Sequence, residues 1–345
     1  MKSTTLRVTV FFVLLLLFSV FPIPNATAAL QSPYWLKPGA YVEYYANSTP
    51  SRPNVFGGGI YYHWDDCLAN FGFQRIRVVF NVTDVSNNWA LINVTVILYG
   101  DPSLRWPFSD VDAYYRATCS PPFTPINTTP YSRNNISLVD ADYGKNLTIK
   151  GAYRINLNTG TVYSLDGKPY GHTFLFGLYP VTNMTYITTL NGTRLRFEGV
   201  DILNSTTYVT YYRNFTGPNV MMVSEPVNIT DPSGAKAFGR TMVLFNPGED
   251  VSPGFFGVIP DLEASVEIYA LTVADNMDNT LKPQFSHGKL VKAAAPGVIL
   301  YRFSYPKEES RPNIQASASP PASRTWLLAL LALLVLALAF LGKRR

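Results

Sequence analysis

Strict alternation of apolar and polar residues marks several stretches of the chain. From Arg75 to Thr83, Ile76, Val78, Phe80 and Val82 share one phase. Arg75, Arg77, Asn81 and Thr83 share the other, with Val79 as the exception. From Ala90 to Leu98 the apolar phase is Ile92, Val94, Val96 and Leu98, opposite Asn93 and Thr95. A period of two predicts strands with one buried and one wet face. Asp84 to Asn88 supplies turn residues between them, so the pair reads as a hairpin. Asn146 to Leu157 repeats the pattern, with Leu147, Ile149, Tyr153 and Ile155 opposite Asn146, Thr148, Lys150, Arg154 and Asn156. Asn158-Thr159-Gly160 then turns the chain, and Thr161–Leu165 runs to Asp166-Gly167. Asn191-Gly192, between Tyr186–Leu190 and Arg194–Phe197, is the strongest short hairpin cue.

Further strands are expected at Tyr41–Ala46, Thr207–Arg213, Thr241–Phe245, Ala264–Val273 and Val298–Tyr305. The chain's 26 Pro and 23 Gly, most of them in the body, interrupt it too often for long helices. Residues 29–305 should therefore be mainly β, an antiparallel sandwich or a large curved sheet. They form one unit, or two divided near Gly217–Asp231, where Pro, Asn and Gly cluster.

Two apolar runs break the alternation, one at each end. Lys2 and Arg7 precede Val8–Phe21, and Ala26-Thr27-Ala28 follows, which reads as a secretory signal cleaved after Ala28. An uncleaved anchor is the alternative, although the run is short for a span. Near the other end, Trp326–Leu341 is apolar and Lys343-Arg344-Arg345 follows. With Arg324 and Lys343 snorkelling outward, residues 324–342 are expected to form one transmembrane helix. The basic tail 343–345 then stays cytoplasmic and the body lies outside. A processed tail is the rival reading. Residues 306–323, rich in Pro and Ser, make a linker.

The ends also account for the charge. The chain carries 28 Lys+Arg against 23 Asp+Glu, net +5. Six of the basic residues flank the two apolar runs, so the body itself is at −1. That excludes a nucleic-acid footprint. Charged residues at 15% and aromatics at 14% exclude intrinsic disorder.

Eleven Asn-x-Ser/Thr sequons occupy the body, at Asn47, Asn81, Asn93, Asn127, Asn135, Asn146, Asn183, Asn191, Asn204, Asn214 and Asn228. The set predicts a heavily glycosylated surface protein. Those in the alternating strands fall on the polar phase. None follows Asn228 in the body, so Asp231–Tyr305 is a candidate face toward the membrane or a partner. Cys67 and Cys119, an even pair in an exported chain, are expected to form a disulfide.

Chemistry is harder to find. His63-Trp64-Asp65-Asp66-Cys67 is the densest polar group; a metal reading would need ligands from elsewhere, with His172 and His287 the only other imidazoles. A loop beside a disulfide is the simpler account. Asp166–His172 reads as turn chemistry. No nucleophile elbow, zinc-binding helix, P-loop or dinucleotide glycine pattern occurs. Carboxylate pairs stand at Asp110/Asp112, Asp140/Asp142 and Glu249/Asp250, at separations in space the sequence does not give. Aromatic clusters at Tyr34-Trp35, Tyr41–Tyr45, Tyr61–Trp64 and Tyr211-Tyr212 suit strand positions, and also a sugar- or lipid-binding groove. No catalytic residue, cofactor or metal is expected.

The opening Tyr34-Trp35-Leu36-Lys37-Pro38-Gly39-Ala40-Tyr41-Val42-Glu43-Tyr44 looks like the start of many exported archaeal proteins. So does Val82-Thr83-Asp84-Val85-Ser86-Asn87-Asn88-Trp89-Ala90-Leu91-Ile92-Asn93-Val94-Thr95. With the signal, the sequons and the anchored tail, the chain resembles membrane-anchored, β-rich surface glycoproteins of hyperthermophilic archaea. The resemblance implies a location and a class, and carries over no catalytic residue. The expected function is a structural, adhesive or partner-binding envelope glycoprotein. Its partners would be the membrane, through the C-terminal helix, and envelope proteins or glycans. The alternatives are a module binding lipid, sugar or peptide on an aromatic-lined concave β-surface, and a surface hydrolase.

Overall fold

The computed structural model describes residues 32–47, 58–101, 110–173, 186–188, 192, 194–203, 206–273, 281, 283–295 and 297–306. The signal segment 1–28, the linker 307–323, the apolar run 324–342 and the basic tail lie outside them. So do the sequons Asn183, Asn191 and Asn204. Among the described residues no helix is long and apolar enough to cross a membrane. The described residues fall in one compact unit.

The body is antiparallel β, as the alternation predicts, apart from one parallel pair in a small sheet, and its largest sheet curves until it closes. Around the ring run β1 (Tyr41–Asn47), β4 (Arg75–Ser86), β5 (Trp89–Tyr99), β9 (Asn146–Asn156), β10 (Thr161–Ser164) and β11 (Pro169–His172). Then follow β12 (Tyr186–Thr188), β13 (Arg194–Leu203), β16 (Asn219–Ser224), β19 (Met242–Asn246), β20 (Val251–Phe256) and β24 (Val298–Ser304), which pairs back to β1. Strands from before and after residues 217–231 thus share one sheet.

The predicted phases hold on the best wall. Ile76, Val78, Phe80 and Val82 of β4 and Ala90, Ile92, Val94, Val96 and Leu98 of β5 are all buried. Asn81 and Asn93 are exposed and directly opposite each other in register. The turn is tighter than the predicted five residues. Ser86 pairs with Trp89, and Asn87 and Asn88 make a two-residue turn at φ 48° and 64°. Asparagine tolerates that left-handed geometry, so the strand continues past the polar Asp84.

A second sheet has the order β21 (Ile268–Val273), β2 (Gly58–Trp64), β3 (Cys67–Phe73), β6 (Asp112–Arg116), β8 (Ile136–Asp142), β7 (Asn127–Arg133). Its outer strand β7 is almost wholly exposed and contains Pro130. Two small sheets complete the unit. One joins β15 (Asn214–Phe215), β14 (Thr207–Val209), β23 (Lys289–Ala294) and β22 (Gln284–Ser286); the other is the hairpin of β17 (Val227–Thr230) and β18 (Lys236–Gly239).

The strand expected over Ala264–Val273 is only half strand. Pro260–Val266 is a helix, α1, with Pro260 in its first turn; Glu267 ends it in the left-handed region, and β21 begins at Ile268. Six of the seven α1 residues are buried, so no single apolar face betrays it in sequence. It presses on the buried side of β9. A Cβ on Gly151 would meet the Ser265 carbonyl oxygen at 1.6 Å, and Gly151 is paired with the buried Val94. Only glycine permits that approach.

Candidate functional site

The hairpin β2–β3 was not legible as strands. Tyr61, Tyr62 and Trp64 are all buried, so alternation fails there. Trp64 pairs with Cys67, which leaves Asp65 and Asp66 as a two-residue turn, with Asp65 at φ 46°. The segment expected to be a loop beside a disulfide is therefore a hairpin tip beside one. The expected bond is present: Cys67 joins Cys119, just beyond β6, with Cα atoms 6.0 Å apart. On the other flank the His63 N–H donates to the carbonyl of Glu267, at 2.9 Å. The end of α1 is thereby tied to the same tip.

A cleft of about 770 Å³ opens beside this junction. One side is the tip His63–Leu68 with Glu267 and Tyr269; the other is the β17–β18 hairpin with Asn228, Thr230, Asp231 and Pro232. The disulfide and Arg116 complete the lining. The β17 hairpin is held by its own turn. Asp231 accepts from the Ser233 hydroxyl at 2.7 Å and the Ala235 N–H at 2.8 Å. Arg116 Nε donates to the Pro232 carbonyl at 3.4 Å, and Tyr114 donates to Asp231 at 3.4 Å.

The electrostatics are uneven. Asp231 spends one oxygen on the turn and the other on the Tyr114 hydroxyl. Asp65, Asp66 and Glu267 are exposed, and among the described residues none of them has an ion-pair partner. Partial burial, and then the nearby Asp65, push the Glu267 carboxyl above its ordinary value. Burial lowers the His63 pKa, so its imidazole is neutral at pH 7. Its ring lies 4.9 Å from that of Tyr269, tilted by 35°. Tyr269 is pushed up to about 12 by burial and by Glu263, so its hydroxyl stays protonated. The cleft thus offers hydrogen-bond acceptors, the rings of His63, Trp64 and Tyr269, and one guanidinium. Among the described residues no group of three His, Cys, Asp or Glu is arranged to hold a metal.

The other candidates are dispersed. His172 sits on β11 opposite Thr161, while His287 occupies the β22–β23 turn at φ 50°. Asp166–Lys168 is the β10–β11 turn, as expected, with the Gly167 N–H donating to the Ser164 carbonyl at 3.0 Å. Asp112 and Asp142 are brought directly opposite each other on β6 and β8. Burial, then Asp142, raises the Asp112 carboxyl to about 7. This pair does not line the cleft. Glu249 is ion-paired to Arg213, and the Asp250 carbonyl accepts from the Trp35 indole at 2.8 Å.

Of the sequon asparagines within the described residues, Asn81, Asn93, Asn127, Asn135, Asn146, Asn214 and Asn228 are exposed and Asn47 is half-buried. Sequence reasoning missed Arg116, Asp231, Glu267 and Tyr269 as cleft residues. Of the far wall, only Asn228 carried a signal, its sequon. The chain matches no family model, no curated protein and no solved structure.

Proposed function

We propose that the chain is a cell-surface, membrane-anchored glycoprotein whose β-rich ectodomain binds a partner in the envelope through the cleft beside the Cys67–Cys119 disulfide. The cleft carries the reading. Its volume falls in the range of roughly 300–1,000 Å³ typical of small-molecule sites, and its walls are fixed by a covalent bond and the His63–Glu267 backbone hydrogen bond. A carbohydrate suits this lining. Ring faces at His63 and Tyr269 accept the apolar side of a sugar, and the carboxylates of Asp65, Asp66 and Glu267 accept from hydroxyls. A lipid tail does not suit so polar a wall. The signal-like N-terminus, the apolar run at 324–342 and the exposed sequons support display at the surface.

The test is titration of the full-length chain, made in a host that adds no N-linked sugar and held in detergent, with neutral glucose and mannose oligomers, followed through tryptophan fluorescence. Trp64 lines the cleft and reports occupancy. Saturable binding is expected, weakened in Asp66→Asn and lost in His63→Ala. A flat titration with every oligomer overturns carbohydrate binding. A mass spectrum of a chain from a glycosylating host, without glycans and recovered free of membrane, overturns the display reading.

A further inference from the structure

Asn228 stands apart from the other exposed sequons. On β17 the side chains alternate: Val227 and Ile229 are buried, whereas Asn228 and Thr230 are exposed and both line the cleft. Acceptor asparagine and sequon threonine thus face the same cavity. The backbone holds them there, because Asn228 pairs with Phe238 and Ile229 with Ala237. Asn81, Asn93, Asn127, Asn135, Asn146 and Asn214 are exposed and belong to no wall of it.

We propose that an N-linked glycan on Asn228 lies in the cleft and closes it, so that the chain's own sugar competes there with an external ligand. The idea rests on the glycoprotein reading above and deepens it: glycan occupancy at a single asparagine sets whether the binding cleft is open. The attachment is ordinary glycosyl transfer from a lipid-linked donor. A C–N bond forms to the Asn228 side-chain nitrogen, the glycosyl–phosphate bond breaks, the lipid phosphate leaves and the amide proton passes to base. The first sugars are tethered within reach of Asp65, Asp66 and Glu267, whose oxygens are the acceptors that sugar hydroxyls need. The tether makes the encounter intramolecular, so weak contacts suffice to keep the cleft filled.

The experiment is carbodiimide labelling of carboxyl groups on the full-length chain from a glycosylating host, with site occupancy read by glycopeptide mass spectrometry. Labelling at Asp65, Asp66 and Glu267 is expected to be severalfold slower in the parent than in Thr230→Ala, which removes the sequon. Asn228→Gln provides a second route to the same loss. Asn93→Gln, on the outer wall, should leave the labelling as in the parent. Equal labelling with Asn228 occupied overturns the proposal, and so does a bare Asn228 on a chain whose Asn81 and Asn93 carry sugar. Both outcomes leave the binding cleft standing. A chain bare at every sequon removes the glycoprotein reading as well.

Discussion

The ring wall around Glu43 and the helix seat around Asp261 both bury a carboxylate, and they treat it in opposite ways. Glu43, fully buried on β1, takes hydrogen bonds from Arg77 at 2.6 Å and from the Tyr41 hydroxyl at 2.8 Å. Arg302 stands 3.9 Å away on β24, directly across the pair. Three strands thus contribute to one compensated charge. Asp261, equally buried on α1, receives the Thr173 hydroxyl on one oxygen, and its other oxygen has no hydrogen-bond partner among the described residues. Burial raises its carboxyl to about 7. The difference lies in geometry. Strand neighbours deliver long cationic side chains to Glu43 in register, whereas among the described residues no Lys or Arg is ion-paired to Asp261.

The largest effect separating the two sites is a pH dependence. The unfolded chain ionises Asp261 near pH 4, while the folded chain holds it protonated until pH about 7. Its contribution is therefore fully present below pH 4, is lost as the pH rises to about 7, and is flat above. The loss is on the order of 4 kcal/mol. Asp261→Asn should remove that slope from denaturation curves taken between pH 4 and 8. Asp112, also raised to about 7 on β6, keeps a slope of the same sign in the variant, reduced by solvent screening because it is only half-buried. An unchanged slope would mean that Asp261 is solvated.

Glu43→Gln should act in the opposite sense. It leaves Arg77 and Arg302 facing a neutral amide and costs about 3–4 kcal/mol at pH 7, measured by the same denaturation. A change below about 1 kcal/mol would reduce the cluster to a surface pair.

Gly151→Ala tests the helix seat. Its methyl group would fall on the Ser265 carbonyl, so α1 must move off β9, at about 2–3 kcal/mol. The displaced helix admits water to Asp261, and the acid-side slope should shrink along with stability. Full stability in this variant would show that the seat has slack.

Thr173→Val is the smallest change. Losing the hydroxyl that donates to Asp261 costs about 1 kcal/mol and pushes the carboxyl higher still, so the slope extends to higher pH.

What sequence could see follows the same division. The β4–β5–β9 wall was legible because one face is dry and the other wet, which imposes a period of two on Ile76–Val82 and Ile92–Leu98. The β2–β3 hairpin hid because Tyr61, Tyr62 and Trp64 are buried on both faces, and α1 hid because it is short and buried all round. The cleft was half visible. Cys67 and Cys119 announced their bond and Asn228 its sequon, yet nothing local marks Glu267 or Tyr269. Their role exists only because β21 pairs with β2, a contact across two hundred residues of chain.

The closed ring has no free margin, but the second sheet ends on β7, a long exposed strand with one side unpaired. Such a margin is a ready template for strand addition by neighbouring copies. Pro130 at its middle lacks the N–H that an incoming strand would need, and its ring fixes the backbone. Sequons bracket the strand at Asn127 and Asn135. A second copy of the chain therefore meets this edge through side chains, and growth of the sheet from one molecule into the next is opposed there.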